Sequence, residues 1–584
     1  MSSTSSPIIG IDLGTTNSLV AVWQDDSATL IPNALGRPLT PSVVSVDSDG
    51  SILVGQAAKE RLISHPHQTA SVFKRFMGSQ KVYRLNLAPG QGQHKFSPEE
   101  LSCLLLSTLK ADAEAYLNCP VTDAVITVPA YFNDHQRQAT KNAAQLAGLN
   151  VRRLLNEPTA AAMAYGLHES GDDRKFLVLD LGGGTFDVTL LELFSGIMEV
   201  RASAGDNTLG GEDFTQILID GFIAHQQSID PKLNADFWRP HLPLLYAVAE
   251  NGKRELSSNN STTLRLTIDD TAYEWQVTAS DYEALAEPLL QRFRQPIERA
   301  VRDAKLRIKE LDDVVLVGGA TRMPLFRQLM TRLLGRFPSV GLNPDETIAI
   351  GAAIQAGLVA EDAALDDVIL TDVSPYSLGV DTSIELGNHQ YQHGVFAPII
   401  ERNTVIPASK VHTFYPVDDR QTEVQFNIYQ GEARLTQDNI KIGEMSIKLP
   451  AQYRGKAKQL PIDVRFSYDV NGLLEVDIDV EGSDKQYNLV IQNGAKHIDE
   501  AEMQRSRQKL SQLKIHPRDQ AENRNLLARA ERLYTQRLGF EREQLARLIG
   551  WYESVLDGQD AIKIRQANSE LQNSLDQFEK DEWF

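Results

Sequence analysis

Two stretches of this chain carry the residue types that grip a phosphate. Ile8-Ile9-Gly10-Ile11-Asp12-Leu13-Gly14-Thr15-Thr16-Asn17 and Phe176-Leu177-Val178-Leu179-Asp180-Leu181-Gly182-Gly183-Gly184-Thr185 share one order: an apolar strand-like run, Asp-Leu-Gly, then small residues. Each continues into a second apolar run, Ser18 to Trp23 in one and Val188 to Leu193 in the other. Glycine lets the backbone turn tightly against a ligand, so that N–H groups point at phosphate oxygens. Thr15, Thr16 and Thr185 add hydroxyl donors. Asp12 and Asp180, at the strand ends, supply the carboxylates that a hydrated Mg2+ prefers. One such hairpin alone reads as a tight β-turn; two suggest a duplicated domain whose halves clamp a triphosphate between them. A third turn, Val314-Val315-Leu316-Val317-Gly318-Gly319-Ala320-Thr321-Arg322-Met323-Pro324, reads as strand, Gly-Gly turn and helix, which presents a helix N-terminus to an anion or an adenosine moiety. No Gly-x4-Gly-Lys-Ser/Thr loop occurs, which excludes a P-loop nucleotidase by motif.

The elements that must position these residues fall into three regimes. Residues 7 to about 366 alternate short β-rich runs, such as Ala124 to Val128, with amphipathic helices, such as Asp134 to Gly148, the pattern of an α/β domain. Residues 375–497 read as an all-β unit, with short alternating strands at Tyr376 to Asp381, Val411 to Tyr415, Glu423 to Tyr429, Ile462 to Val470 and Leu473 to Val480. Asn471-Gly472 between the last two is a hairpin signal. Beyond about Asp499 the pattern turns helical, with Leu526, Leu527, Ala530, Leu533, Tyr534 and Leu538 on one stripe. Between the first two regimes, where a linker is ordinarily polar, stands Asp366-Asp367-Val368-Ile369-Leu370-Thr371-Asp372.

The chain has 584 residues, 58 Lys plus Arg against 78 Asp plus Glu, and a net charge of −20. That balance excludes the basic footprint of a nucleic-acid-binding surface. Two cysteines, Cys103 and Cys119, make neither a disulfide framework nor a four-ligand zinc site and suit a reducing compartment. The start has no basic n-region, and no apolar run reaches the ~20 residues that span a bilayer. A bacterial cytoplasmic protein without membrane association is expected.

The hairpins, together with Val128-Pro129-Ala130-Tyr131-Phe132, Asn156-Glu157-Pro158-Thr159-Ala160-Ala161-Ala162, Gly205-Asp206 followed by Leu209-Gly210-Gly211-Glu212-Asp213-Phe214, and the Gly318-Gly319 turn, resemble in order the seventy-kilodalton heat-shock (DnaK-like) chaperone family, and within it a short bacterial branch like HscC. The resemblance implies a duplicated actin-like, ribonuclease H-like α/β ATPase domain over 1–366, a hydrophobic linker over 367–374, a β-sandwich substrate-binding domain over 375–497 and a shortened α-helical lid over 498–584. It implies a slow ATPase that binds ATP or ADP with Mg2+, and K+ as a further candidate cation. By matching motif, Gly14, Thr15, Thr16, Asn17, Gly182, Gly183, Gly184 and Thr185 hold phosphates, with Thr185 at the γ-phosphate, and Asp12 and Asp180 organise the metal through waters. Lys74 positions the attacking water, and Glu157 and Asp187 support hydrolysis. By type alone Lys74 reads as a solvated surface lysine. Glu157 before Pro158 reads either as a loop residue at the cleft edge or as a helix N-terminal carboxylate. Gly210, Gly211, Glu212, Glu250, Lys253, Arg254, Ser257, Gly318, Gly319, Arg322 and Asp345 complete the nucleotide side, with positions 250, 253 and 257 on one helical face.

The same resemblance places an extended apolar client peptide against Val380, Phe414, Val424 and Phe426, residues that fit the core of a sandwich equally well. Ser383 and Val417 stand where relatives arch other side chains over the peptide, which implies a different client preference. Pro129, Arg137, Arg153, Val368, Ile369, Leu370 and Asp372 are implied in relaying nucleotide state through the linker, Arg153 and Asp372 also in contacting a J-domain co-chaperone. Burying the three apolar linker residues yields roughly 1.5–3 kcal/mol each, less the ordering entropy, which is enough for a switch. Thr371 stands where relatives carry leucine, implying weaker docking. The short stretch from Leu256 to Tyr273 argues against dependence on the usual exchange factor, and the ending at Asp581-Glu582-Trp583-Phe584 argues for a truncated lid. Two other classes remain open on the residues alone: an actin-fold sugar or acid kinase, which leaves the β unit unexplained, and a regulatory relative that holds nucleotide without hydrolysing it.

Overall fold

The structure is a computed structural model that describes residues 7–46, 52–86, 93–165, 174–194, 197–268, 271–339, 342–360, 369–387, 390–451, 456–469, 472–483, 485–491, 523, 526–527, 529–530, 533–534, 539–557 and 561–580. The chain forms two compact units, Met1–Tyr376 and Ser377–Phe584.

The first unit is built on two mixed sheets. One runs, in order, Asn150–Asn156, Asp123–Val128, Ile8–Asp12, Asn17–Gln24 and Ser27–Ile31; the other runs Asp313–Val317, Arg174–Leu181, Phe186–Phe194, Ile197–Asp206 and Ile369–Val373. The strands bearing Asp12 and Asp180 occupy equivalent places. Each has a parallel neighbour on one side (Ile8 opposite Asp123, Phe176 opposite Asp313) and its own hairpin partner on the other (Asp12 opposite Leu19, Leu181 opposite Phe186). Central strands covered on both faces read as continuous apolar runs, and Ile9, Ile11, Leu177 and Leu179 are fully buried. The sequence echo is therefore an echo of topology.

Helices on these sheets start where the sequence caps them. Ser97 and Glu100 form a capping box at Pro98–Leu117, and Asn133 and Gln136 form another at Asp134–Leu146. The small-residue helix Thr347–Val359 packs on the Ile8–Asp12 strand and on the helix Glu157–Ala164. A Cβ at Gly351 would lie 1.8 Å from the Ala160 carbonyl oxygen, so this crossing requires glycine.

The expected linker segment takes a definite place. Val368 lies outside the described residues, but Ile369–Val373 is a strand that pairs in parallel with Ile197–Asp206, Ile369 opposite Ile197 and Thr371 opposite Glu199.

The second unit has two four-stranded antiparallel sheets. One is ordered Gln390–Ile400, Leu378–Gly387, Glu423–Gln430, Ile440–Lys448, and the other Ala408–Phe414, Ile462–Tyr468, Leu474–Val480, Tyr487–Ile491. Both contribute to one core, including Leu378, Ile428, Val464 and Val476. Asn471 lies outside the described residues; Gly472, at φ 80°, donates to the Asp469 carbonyl 3.2 Å away in the expected hairpin turn. The helices Gly539–Asp557 and Ala561–Lys580 gather a separate core with Leu526, Ala530 and Leu533 from the predicted stripe; Leu538 lies outside the described residues. Asn523, Tyr552 and Asn568 form a buried polar cluster, with Tyr552 donating to Asn568 Oδ1 at 2.6 Å.

Gly351→Ala is expected to destabilise the first unit by about 3 kcal/mol or more, because the added methyl group meets backbone rather than a movable side chain. Urea unfolding followed by circular dichroism checks this against Gly335→Ala, whose added Cβ meets nothing within 4 Å but adopts a φ of 67°.

Candidate functional site

The two Asp-Leu-Gly hairpins meet in the first unit. A Cβ on Gly183 would sit 2.1 Å from Thr16 Oγ1, so the second hairpin reaches the first only because that position has no side chain. Gly14 N–H donates to Ser18 Oγ at 3.0 Å, and Gly182 N–H to the Thr185 carbonyl at 3.1 Å, closing each turn. Thr15 and Thr185 are buried beside Asp12 and Asp180. Gly211 and Glu212 donate their N–H groups to the Gly182 and Gly183 carbonyls, both at 2.9 Å, which fastens the Gly210-Gly211 segment to the same turn.

Below the turns lies a nest of buried charge. Asp12 is 7%, Asp180 3%, Asp187 0%, Glu157 5% and Lys74 4% exposed, against a sequence expectation for Lys74 alone of a surface lysine. Lys74 Nζ donates to Glu157 Oε1 at 2.6 Å. Lys74 rides on the 3-10 turn Phe73–Phe76, entered through Val72 at φ 57°, a left-handed conformation rare for a β-branched residue. Glu157 opens the helix Glu157–Ala164, capped by extended Asn156, so the helix-terminal reading holds and the loop reading does not; Pro158 in the first turn suits its fixed φ.

Burial first, and then the Glu157 charge, push the carboxyls of Asp12 and Asp187 up to about 7. Asp180 is raised as well, by burial first and then by Glu157, Asp187 and Asp12. Lys74 opposes the rise in all three. Asp12 accepts from Thr127 Oγ1 at 3.1 Å, and Asp187 from the Tyr131 N–H at 3.0 Å. Asp180 Oδ2 and Asp187 Oδ2 are buried with no hydrogen-bond partner among the described residues. Orphaned, desolvated carboxylates of like sign fit a divalent cation. Among the described residues no three acidic, histidine or cysteine side chains converge to ligate a metal directly. Two carboxylates plus water and phosphate oxygens match the habit of Mg2+ instead.

On the far side, Lys253 Nζ lies 2.6 Å from Glu250 Oε2 and donates to Gly211 O at 2.9 Å and Thr215 Oγ1 at 2.8 Å. Arg254 Nε donates to Glu250 Oε1 at 2.9 Å. Glu212 accepts from Tyr246. The helix ends at Glu255, so Ser257 is not on its face as expected; it lies one residue past the Leu256 cap, its hydroxyl donating to Lys253 O at 3.2 Å. Gly318 and Gly319 form a 3-10 turn ahead of the helix Pro324–Leu334, and Arg322 donates to Asp345 Oδ2 and Asn343 Oδ1, both at 2.7 Å.

Two connections run from this nest to the segment from Ile369 to Tyr376, one to its strand and one just past it. Arg137, which also donates to the carbonyls of Ala130 and Phe132, donates to Asn156 Oδ1 at 2.7 Å, and Asn156 Nδ2 donates to Asp372 Oδ2 at 2.6 Å. Pro129 O accepts the Phe132 N–H at 3.1 Å, closing the turn beneath Arg137. Burial raises the Asp372 carboxyl and lowers Arg153, whose charge Asp372 supports in return. The Tyr131 carbonyl accepts from Tyr376 OH at 2.9 Å, and the two rings lie 4.5 Å apart. Sequence reasoning assigned no role to Asn156, Tyr131 or Tyr376. The first two stood in quoted motifs; Tyr376 carried no signal.

In the second unit Val380 and Phe426 are buried in the core, while Phe414 and Val424 are half-buried at its margin. The Phe414 and Phe426 rings meet edge to face with centroids 6.0 Å apart. Ser383, at a register shift in its strand, hydrogen-bonds with His393 Nδ1 at 2.7 Å.

Comparison with known proteins gives the same reading over a long span. The family model described as Hsp70 protein matches residues 8–583. Chaperone protein DnaK of Thermotoga neapolitana is 42% identical over 513 residues, which is 85% of this chain and 82% of the relative. Chaperone protein DnaK of Thermotoga petrophila matches to the same extent. A family model that spans both compact units, with 42% identity over 85% of the chain and paired Asp-Leu-Gly hairpins in keeping with it, makes this chain a member of the Hsp70 family.

Proposed function

We propose that the chain is an ATP-dependent molecular chaperone of the short HscC-like kind, whose first unit is an actin-like ATPase and whose second unit binds extended apolar segments of unfolded proteins. The observation that carries the reading is the Lys74–Glu157 pair, buried among three carboxylates beneath two glycine hairpins. Phosphoryl transfer asks a protein mainly for positioning and charge neutralisation. The N–H groups of Thr15, Thr16, Gly183 and Gly184, with the Thr15, Thr16 and Thr185 hydroxyls, hold the phosphates, while the Gly14 and Gly182 N–H groups close the turns that present them. Asp12 and Asp180 hold Mg2+ through water, and the ion, when bound, neutralises phosphate charge. Lys74 orients the attacking water, Glu157 holds Lys74 in place, and Asp187 accepts the proton that the water gives up. The Lys253, Glu250 and Arg322 side receives the nucleoside, and K+ is the candidate second cation.

Phe414 and Val424, half-exposed beside Val380 and Phe426, form the client groove, and the helices Gly539–Asp557 and Ala561–Lys580 form the lid. J-domain co-chaperones are the expected partners, through Arg153 and Asp372, and the usual exchange factor is not required. Nucleotide state reaches the client unit through the Ile369–Val373 strand. No described helix is long and apolar enough to cross a membrane.

Single-turnover hydrolysis with and without an unfolded peptide tests the reading: wild type should hydrolyse ATP slowly and faster with peptide. Lys74→Ala should lose hydrolysis by about a hundredfold or more while retaining nucleotide, measured by fluorescent-nucleotide titration. Lost nucleotide binding would instead give Lys74 a structural role.

Asp12 and Asp187, near 7 when folded against 3.8 in the unfolded chain, bind more protons folded than unfolded between those values. Stability of the metal-free protein therefore falls as pH rises through that window. Tm should drop between about pH 4 and about pH 7, and the drop should be smaller in Asp187→Asn.

Thr371 Oγ1 is buried without a hydrogen-bond partner among the described residues. An unmet buried hydroxyl costs about 1–3 kcal/mol. Thr371→Val, which keeps the shape and removes the hydroxyl, should increase hydrogen-exchange protection across Ile369–Val373 about tenfold; unchanged protection would rule the hydroxyl out as the weak point.

A further inference from the structure

Lys74 is delivered by a loop that folds back on itself, and the closing contact is a second lysine. Val72 enters at φ 57°, Phe73 and Met77 anchor in the core, and the Met77 N–H donates to the Lys74 carbonyl at 3.2 Å. Gly78, at φ 71°, lets the chain pass the first turn of the Asp134–Leu146 helix: a Cβ there would lie 3.0 Å from the His135 backbone. The chain then returns, and Lys81 Nζ comes to rest 3.2 Å from the centroid of the Phe76 ring and 4.8 Å from that of Tyr83. Phe76 is the aromatic of the Phe73–Phe76 turn that does not enter the core, so its ring has this cation above it where Phe73 has close packing. Arg75, next to Lys74, reaches the other sheet's segment at Asp213 Oδ2, 3.0 Å away.

We infer that Lys81 is a positioning residue for hydrolysis: its ammonium, held over Phe76 and Tyr83, fixes the turn that places Lys74 on Glu157. The chemistry is a cation–π contact made at both ends of the return, to the turn and to the strand Tyr83–Asn86 that follows it. Lys81 is itself exposed and far less constrained than Lys74, so its removal leaves the core untouched. Partial burial, and then the Arg75 charge, lower the Lys81 pKa, so the contact with the two rings is made against a desolvation cost. A left-handed valine at one end of the turn stores strain that the other end must hold. Small displacements of a positioning group cost rate steeply, while nucleotide affinity depends on the glycine hairpins elsewhere.

The inference rests on the ATPase reading, and the test separates the two. Single-turnover ATP hydrolysis, fluorescent-nucleotide affinity and Tm are measured for the full chain, Lys81→Met and Lys81→Arg. Lys81→Met should slow hydrolysis about tenfold with affinity and Tm unchanged, and Lys81→Arg, which keeps a cation over the rings, should restore the rate. A wild type that does not hydrolyse ATP overturns the ATPase reading. A wild type that hydrolyses ATP with Lys81→Met within twofold of it overturns the role of Lys81 alone. A slowed Lys81→Met whose Tm also falls, without recovery in Lys81→Arg, makes Lys81 a structural residue and overturns the positioning role.

Discussion

The site depends on one electrostatic imbalance. Asp12, Asp180, Asp187 and Glu157 are buried together, and Lys74 is the buried ammonium that faces them. Raising a carboxyl from 3.8 to about 7 corresponds to roughly 4 kcal/mol of disfavoured ionisation. A core that only needed to be stable would not keep such a group, since apolar residues of equal volume serve stability as well or better. The imbalance makes sense as preorganisation. In the proposed function the carboxylates are fixed where a bound Mg2+ would bring the missing positive charge, which leaves little reorganisation for the moment of reaction.

That imbalance also explains the covalent neighbourhood of the nest. Glu157 gains from the helix N-terminus it opens, because the unpaired N–H groups there favour negative charge. The cap of the same helix, Asn156, spends its side chain on Asp372 and Arg137 rather than on the helix. A shift of the cap is therefore a shift of Glu157, and Asp372 lies on the strand Ile369–Val373. Asp187 is tied similarly, through the N–H of Tyr131, to the residue whose carbonyl holds Tyr376. Chemistry and strand docking thus share two backbone positions, within the first unit, and neither needs a long mechanical path.

Much of this was legible in the sequence, for identifiable reasons. The two hairpins were visible because a strand buried on both faces must be continuously apolar and a phosphate turn must be small, so composition alone marks them. The β regime showed through its period of two, and its strand bounds came within a few residues of Glu423–Gln430 and Leu474–Val480. What composition could not give is pairing in space. Lys74 looks like any lysine until the turn that carries it is folded against Glu157, 83 positions away. Ser257 fell off its helical face because the helix stops at Glu255, and helix ends are the least readable feature of a pattern. Tyr376 had no signal because its role is set by Tyr131, on a segment far away in the chain.

The strand Ile369–Val373 shows what a reversible element needs. Backbone pairing with Ile197–Asp206 favours docking, as does any apolar area it covers. Against this stand two polar groups: the unmet hydroxyl of Thr371, and Asp372, whose burial raises its carboxyl even though Asn156, the Val373 N–H and two arginines support its charge. Each opposing term is of the order of 1–3 kcal/mol, comparable with the burial of one apolar side chain. A strand with leucine in place of both would bind its edge too well to leave. With these polar groups retained, the net free energy of pairing is reduced by a few kcal/mol, which is the range that the nucleotide-controlled docking of the proposed function requires.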